Sequence, residues 1–172
     1  NGSPAADTLS PFVALNAVLT LQSVSGTRDV LVKDIYLGAN KVTIAPNELV
    51  TAINFPKIDG FSTAFVKLGR RKALAISRMN VAAALKLENG VIAEARIAPG
   101  CVFASPDRVE CAESMLLGKA PSVELFTACG EAVSDEMVAR TGVRWSTAYK
   151  KPVIAAMVRR ALCRAAGLPE VD

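Results

Sequence analysis

An Asn-Gly pair, Asn89-Gly90, lies between two apolar runs and constrains the fold of this chain more than any other feature. A tight type I′ turn needs positive φ at both central residues, which Asn and Gly accept most readily. Residues 77–87 and 91–98 are therefore predicted to be the arms of an antiparallel hairpin. Residues 61–68 read as a further strand, so a three-stranded antiparallel sheet is expected.

The segments on either side differ in period. Upstream, residues 8–17 fit a short helix that presents Leu9, Phe12, Val13 and Leu15 to a core. Residues 18–24 then alternate, Ser25-Gly26-Thr27 offers a turn, and residues 29–35 form a second β-rich run, together a hairpin. Residues 42–44 and 50–55 are further strand candidates. The segment 56–60 carries two breakers and two charges and is the expected domain boundary. Downstream the pattern is helical. Ser105-Pro106 suits an N-cap and first-turn pair, with Val109, Ala112 and Leu116 on one face until Gly118. Ser122 opens a second helix with Leu125, Cys129, Ala132 and Val133 as its apolar stripe. A last helix, from about Ser146 to about Ala165, turns Val153, Ile154, Met157, Ala161 and Leu162 inward. Arg159, Arg160 and Arg164 stand near its C-terminal end, where the helix dipole favours cations. Strands followed by helices make the class α+β.

Several kinds of chemistry lack their residues. The chain has no His, so neither a Ser–His nor a Cys–His pair can form. Cys101, Cys111, Cys129 and Cys163 show no C-x-x-C spacing, which leaves zinc and iron–sulfur frameworks without a signature. Free thiols in a reducing cytoplasm are the expectation, with Cys129 packed as a small hydrophobe. There is no Walker loop, no G-x-G-x-x-G and no G-x-S-x-G elbow. Asp107, Glu110 and Glu113 read as the solvated face of one helix. Net charge is +4, and basic clusters occur at Arg70-Arg71-Lys72 and at Arg159, Arg160 and Arg164. Aromatic residues are only 5% of the chain, so the stacking half of a nucleic-acid signature is missing. A solvated face or a subunit interface is the reading of those clusters. No apolar run approaches the ~20 residues of a membrane span. Asn1-Gly2-Ser3 fits a glycosylation sequon, a chance match unless the chain is secreted. From the residues alone this is a binding or support domain, and any chemistry would come from a cofactor.

Two blocks point to one. The opening Asn1-Gly2-Ser3-Pro4-Ala5-Ala6-Asp7 and the later Lys67-Leu68-Gly69-Arg70-Arg71-Lys72-Ala73-Leu74-Ala75-Ile76-Ser77 resemble segments of the FAD-binding subunit of molybdenum hydroxylases. That family includes xanthine dehydrogenase and the medium subunit of aerobic carbon monoxide dehydrogenase. The resemblance covers nearly the whole chain and includes Tyr149-Lys150-Lys151 ahead of an apolar helix. It implies that residues 1–58 end an FAD-binding α+β subdomain. Residues 61–172 would be the family's C-terminal domain, a three-stranded antiparallel sheet packed against a helical bundle. The two glycine-rich loops that hold the FAD pyrophosphate in that family would precede Asn1, so the chain is expected to be the C-terminal portion of a flavoprotein subunit.

Carried over residue by residue, the resemblance makes Asp7 a carboxylate lying along the FAD and Val50 an apolar contact on the flavin side. It puts Lys67 near the isoalloxazine, where a cation would favour a reduced anionic ring, and Ile76 at the ring's border. Arg70 and Arg71 belong to the motif with salt bridging as their expected role. Judged without the family, Asp7 is a helix N-terminal acid, Val50 a strand residue and Lys67 a surface lysine. The function implied is electron transfer in an oxidoreductase of the cytoplasm. Electrons pass from 2Fe-2S clusters through FAD to NAD or another acceptor. The partners implied are an iron–sulfur subunit, a molybdopterin subunit and the preceding FAD-binding segment. The alternative is a non-catalytic interaction module that binds no flavin by itself.

Overall fold

The computed structural model describes residues 2–38 and 40–170. Asn1, which opens both the N-terminal block and the sequon, lies outside them, as do the last two residues of the expected second domain. The chain begins with a one-and-a-half-turn helix, α1 (Leu9–Ala14), entered through Thr8. Leu9 and Val13 are buried as expected, and Phe12 packs at the edge of the same cluster. Leu15 is only half-buried, because the helix has ended there and Ala14 takes the inward position.

A three-stranded antiparallel sheet follows, in the order β2–β1–β5, from β1 (Val18–Ser23), β2 (Gly26–Leu31) and β5 (Leu49–Asn54). The β1–β2 turn is Val24-Ser25, slightly earlier than the sequence suggested, since Gly26 already pairs with Ser23. The second arm is also shorter than predicted. Val32–Ile35 turns into a 3-10 helix, which buries both Val32 and Ile35 as an alternating strand would not. Two short strands, β3 (Tyr36–Gly38) and β4 (Lys41–Val42), pair with each other before β5.

The second sheet has the order β6–β7–β8 and is antiparallel throughout: β6 (Phe61–Gly69), β7 (Ser77–Glu88) and β8 (Val91–Gly100). Asn89 (φ +53°) and Gly90 (φ +81°) form the connecting turn, as a type I′ hairpin demands. The sheet is covered on both faces, and successive β7 side chains alternate between them. Met79, Val81, Ala83 and Leu85 join the core beneath the helices, while Ala82, with Ala98 of β8, packs against α1. Double coverage is why β7 reads as an unbroken apolar run. Alanine on the α1 side lets the helix approach closely.

Three helices close the chain. α2 is only Glu110–Ser114, much shorter than the pattern after Ser105-Pro106 implied. Residues 106–109 run as irregular chain, and Val109 donates its backbone N–H to Ile97 of β8 at 3.0 Å instead of to a helical turn. Val109, Ala112 and Leu116 are nonetheless fully buried. The acidic trio is not a solvated helix face. Asp107 lies before the helix, and Glu113 is buried, accepting from the Ile97 N–H at 2.7 Å and from Arg108 at 2.5 and 2.8 Å. α3 (Val123–Thr141) is capped as predicted, the Ser122 hydroxyl accepting from Leu125 N at 3.1 Å. Cys129 and Val133 are fully buried, and Phe126 fills the stripe with them. α4 (Thr147–Ala166) continues through Pro152, packs against α3 and lies on β6 and β7. Ile154, Met157, Ala161 and Leu162 point into the core as expected, and Val153 packs at its margin.

Candidate functional site

The segment 70–76 between β6 and β7 is an irregular loop held by its own backbone. The Arg71 guanidinium donates to the carbonyls of Ala73 at 3.0 Å and Leu74 at 2.5 Å. Leu74 has a positive φ of 51°, an uncommon conformation for a branched side chain. Leu74 and Ile76 stand out from the fold, 92% and 76% exposed. An open cleft of about 470 Å³ lies against this loop, lined by Arg70, Arg71, Leu74, Ile76, Ser77 and Arg78. A second recess of about 500 Å³ runs along residues 67–75.

Lys67, near the end of β6, ties this loop to the start of the chain. Its ammonium donates to Asp7 Oδ2 and to the Ala75 carbonyl, both at 2.5 Å. The other Asp7 oxygen, Oδ1, accepts the backbone N–H of Ser77 at 3.2 Å. Both charged side chains are one-third exposed. Partial burial of Asp7 works against its ionisation, but the hydrogen bonds from Lys67 and Ser77 outweigh it and hold the carboxyl below its ordinary value.

Three of the four residues singled out from the sequence thus meet: Asp7 binds Lys67, and Ile76 adjoins the Ser77 N–H that Asp7 accepts. Val50 is elsewhere, half-exposed on β5 opposite Leu21, and takes no part in these bonds. Among the described residues Arg71 makes none of the salt bridges expected of it. It donates to carbonyls within its own loop, while Arg70 lines the cleft. What sequence reading missed is the backbone, since nothing in residue type foretells that the Ala75 carbonyl or the Ser77 N–H completes the cluster.

The Tyr149-Lys150-Lys151 motif opens α4 close to this region. The Arg78 guanidinium lies 5.1 Å from the Tyr149 ring centre, and Lys150 donates to the Cys101 carbonyl at 3.1 Å. Cys101 itself has φ +61°, and its thiol points to the Ala5 carbonyl at 3.7 Å. Burial, and then the nearby Asp7 charge, pushes that thiol's pKa up, so it is not a poised nucleophile. Among the described residues no cluster of three potential metal-binding side chains occurs.

Residues 64–165 match the family described as the CO dehydrogenase flavoprotein C-terminal domain, and residues 1–58 match the FAD binding domain in molybdopterin dehydrogenase. The chain is 32% identical over 161 residues to the glyceraldehyde dehydrogenase medium chain of Sulfolobus acidocaldarius, covering 94% of this chain and 57% of that protein. It is 28% identical over 167 residues to the xanthine dehydrogenase FAD-binding subunit of Escherichia coli O157:H7, covering 96% of this chain and 57% of the relative. Among solved structures, the carbon monoxide dehydrogenase of Hydrogenophaga pseudoflava superposes with a TM-score of 0.84 at 28% identity, covering 95% of this chain and 57% of that one. The chain therefore spans a little over half the length of the relatives it matches.

Proposed function

This chain belongs to the CO dehydrogenase flavoprotein C-terminal domain family, and from that membership we infer that it forms part of an FAD-binding, electron-transferring subunit of a molybdenum hydroxylase. The observation that carries the reading is the Asp7–Lys67 pair, whose Lys67 lines the recess along residues 67–75, with exposed Ile76 and Leu74 lining the neighbouring open cleft. Those side chains fit one wall of a flavin site: apolar groups for a ring face and a fixed cation at its margin. When bound, FAD supplies redox chemistry that no side chain of this length of polypeptide offers. The chain's own part is to orient and to neutralise. Asp7 and the Ala75 carbonyl fix the Lys67 ammonium, so it need not reorganise when negative charge approaches. Ile76 and Leu74 exclude water from the face they cover. Val50, away on β5, would reach the flavin from a different side.

The division proposed is residues 1–58 as the end of the FAD-binding subdomain and 61–172 as the C-terminal domain. The assembly proposed contains an iron–sulfur subunit with 2Fe-2S clusters as electron donor, a molybdopterin subunit, and NAD or another acceptor as the outlet. Relatives named as medium chains and FAD-binding subunits of dehydrogenases support it. A cytoplasmic site of action is supported by four cysteines that are all free thiols. No helix among the described residues is long and apolar enough to cross a membrane.

The test is an FAD titration followed by flavin fluorescence, with the polypeptide bearing the remainder of the flavin site supplied. Saturable quenching is expected, and Lys67→Met should weaken it about tenfold or more, the worth of one charged hydrogen bond. A chain that takes up no FAD even when so completed overturns the reading in favour of a non-catalytic interaction module.

A further inference from the structure

We propose that Asn80 is the positioning residue that sets Asp7 against Lys67, and that Gly100 is glycine in order to admit its side chain. Asn80 lies in the central strand β7, fully buried, with Lys67 of β6 and Gly100 of β8 as its cross-strand partners. The three form one row across the sheet on the face that α1 covers. Two residues along each strand, Ala82 and Ala98 continue that face and pack on α1. Asn80 alone in the row reaches up to the helix: its Oδ1 accepts a hydrogen bond from the hydroxyl of Ser10, itself 2% exposed in the first turn of α1.

Asp7 is three residues upstream of Ser10. Anchoring Ser10 to the sheet therefore fixes where the chain enters α1, and with it the place where the Asp7 carboxylate meets Lys67. The other end of the same row is Gly100. A Cβ there would stand 2.1 Å from Asn80 Oδ1 and 2.7 Å from Cγ, so any side chain would drive the amide off Ser10. Asn80 Nδ2 is buried and finds no hydrogen-bond partner among the described residues. An alanine, like its neighbours, would pack without that cost. What alanine cannot do is recognise one hydroxyl on one turn of a helix, which is the gain that offsets the orphaned donor.

The inference concerns the Asp7–Lys67 pair, and its bearing on flavin rests on the function proposed above. It is tested on the full chain by following the Asp7 carboxyl titration by NMR and the acylation rate of Lys67 by peptide mass spectrometry. Asn80→Ala should raise the Asp7 pKa toward its ordinary value and speed Lys67 acylation several-fold. Gly100→Ala should do the same. The double variant N80A/G100A should match N80A alone, because without the amide there is nothing for the new Cβ to strike. Ser10→Ala, which removes one buried oxygen from the helix side, should reproduce the shift if N80A does not fold. An unchanged Asp7 titration in folded N80A or S10A overturns the proposal, as does a double variant in which the two single effects add. If Asp7 shifts as expected while FAD affinity stays the same, the positioning stands and the flavin role of the pair falls.

Discussion

Asp7 shows how little of a residue's behaviour belongs to the residue. In sequence it is an acid just ahead of a helix. In the fold it gives one oxygen to Lys67, sixty residues away, and the other to the Ser77 N–H. Its folded-state pKa is depressed, so the stability it contributes is fully present above the unfolded value of about 3.8 and is lost as pH falls through the lowered folded value. With both partners one-third exposed, solvent screening limits the pair to about 0.5–1 kcal/mol. Asp7→Asn is expected to be less stable than wild type by about that amount at neutral pH. The gap should close as pH falls below about 4. Urea denaturation of both proteins across that range is the check, and a gap independent of pH would mean the carboxylate charge is not what stabilises.

Between elements, α3 and α4 meet backbone to backbone at Gly130. A Cβ on Gly130 would stand 2.4 Å from the Ala155 carbonyl oxygen and 3.2 Å from its Cα, a collision with backbone that no rotamer change relieves. Beside it the Ser134 hydroxyl donates to the Lys151 carbonyl at 3.1 Å, in the stretch where Pro152 interrupts the helical hydrogen bonding. Gly130 is mid-helix, where alanine would ordinarily stabilise by roughly 1 kcal/mol. Here the sign should reverse. Gly130→Ala is expected to destabilise by about 1–3 kcal/mol, the usual cost of overpacking, measured as a lowered denaturation midpoint with an unchanged slope. A variant as stable as wild type would show that the two helices are free to separate.

At the scale of the molecule, one sheet organises everything. The β6–β7–β8 sheet carries α2, α3 and α4 on one face and α1, with the N-terminal strands behind it, on the other. The N-terminal portion is thus joined to the C-terminal one through small residues at Ala82 and Ala98 and through the polar row at Asn80. Ala98→Leu, at a position 1% exposed, is expected to cost about 1–3 kcal/mol by pushing α1 off the sheet. Thermal unfolding should show a lowered midpoint, and faster acylation of Lys67 should report that the N-terminal segment has lifted. Unaltered Lys67 reactivity would mean that α1 seats independently of this alanine.

What depends on neighbours along the chain could be read from residue types alone. Asn89-Gly90 specified a turn because its two residues tolerate positive φ, and with it the hairpin and the pairing of β7 with β8. Ser122 specified a helix start because its hydroxyl finds an N–H three residues on. The motif blocks brought Asp7, Lys67 and Ile76 into view together. What depends on atoms far apart in the chain was decided only by the fold. Glu113 was an exposed acid by its helical period and became a buried partner of Arg108, because β8 brings the Ile97 N–H within reach. Residues 106–109 had the pattern of a helix but run as irregular chain, because β8 offers the Ile97 carbonyl to the Val109 N–H and Val109 is fully buried there. Asn80, Ser10 and Gly100 look unremarkable in any window of sequence. Their relation exists only where two strands and a helix meet, because a buried amide is recognised by what lies across from it and not by what precedes it.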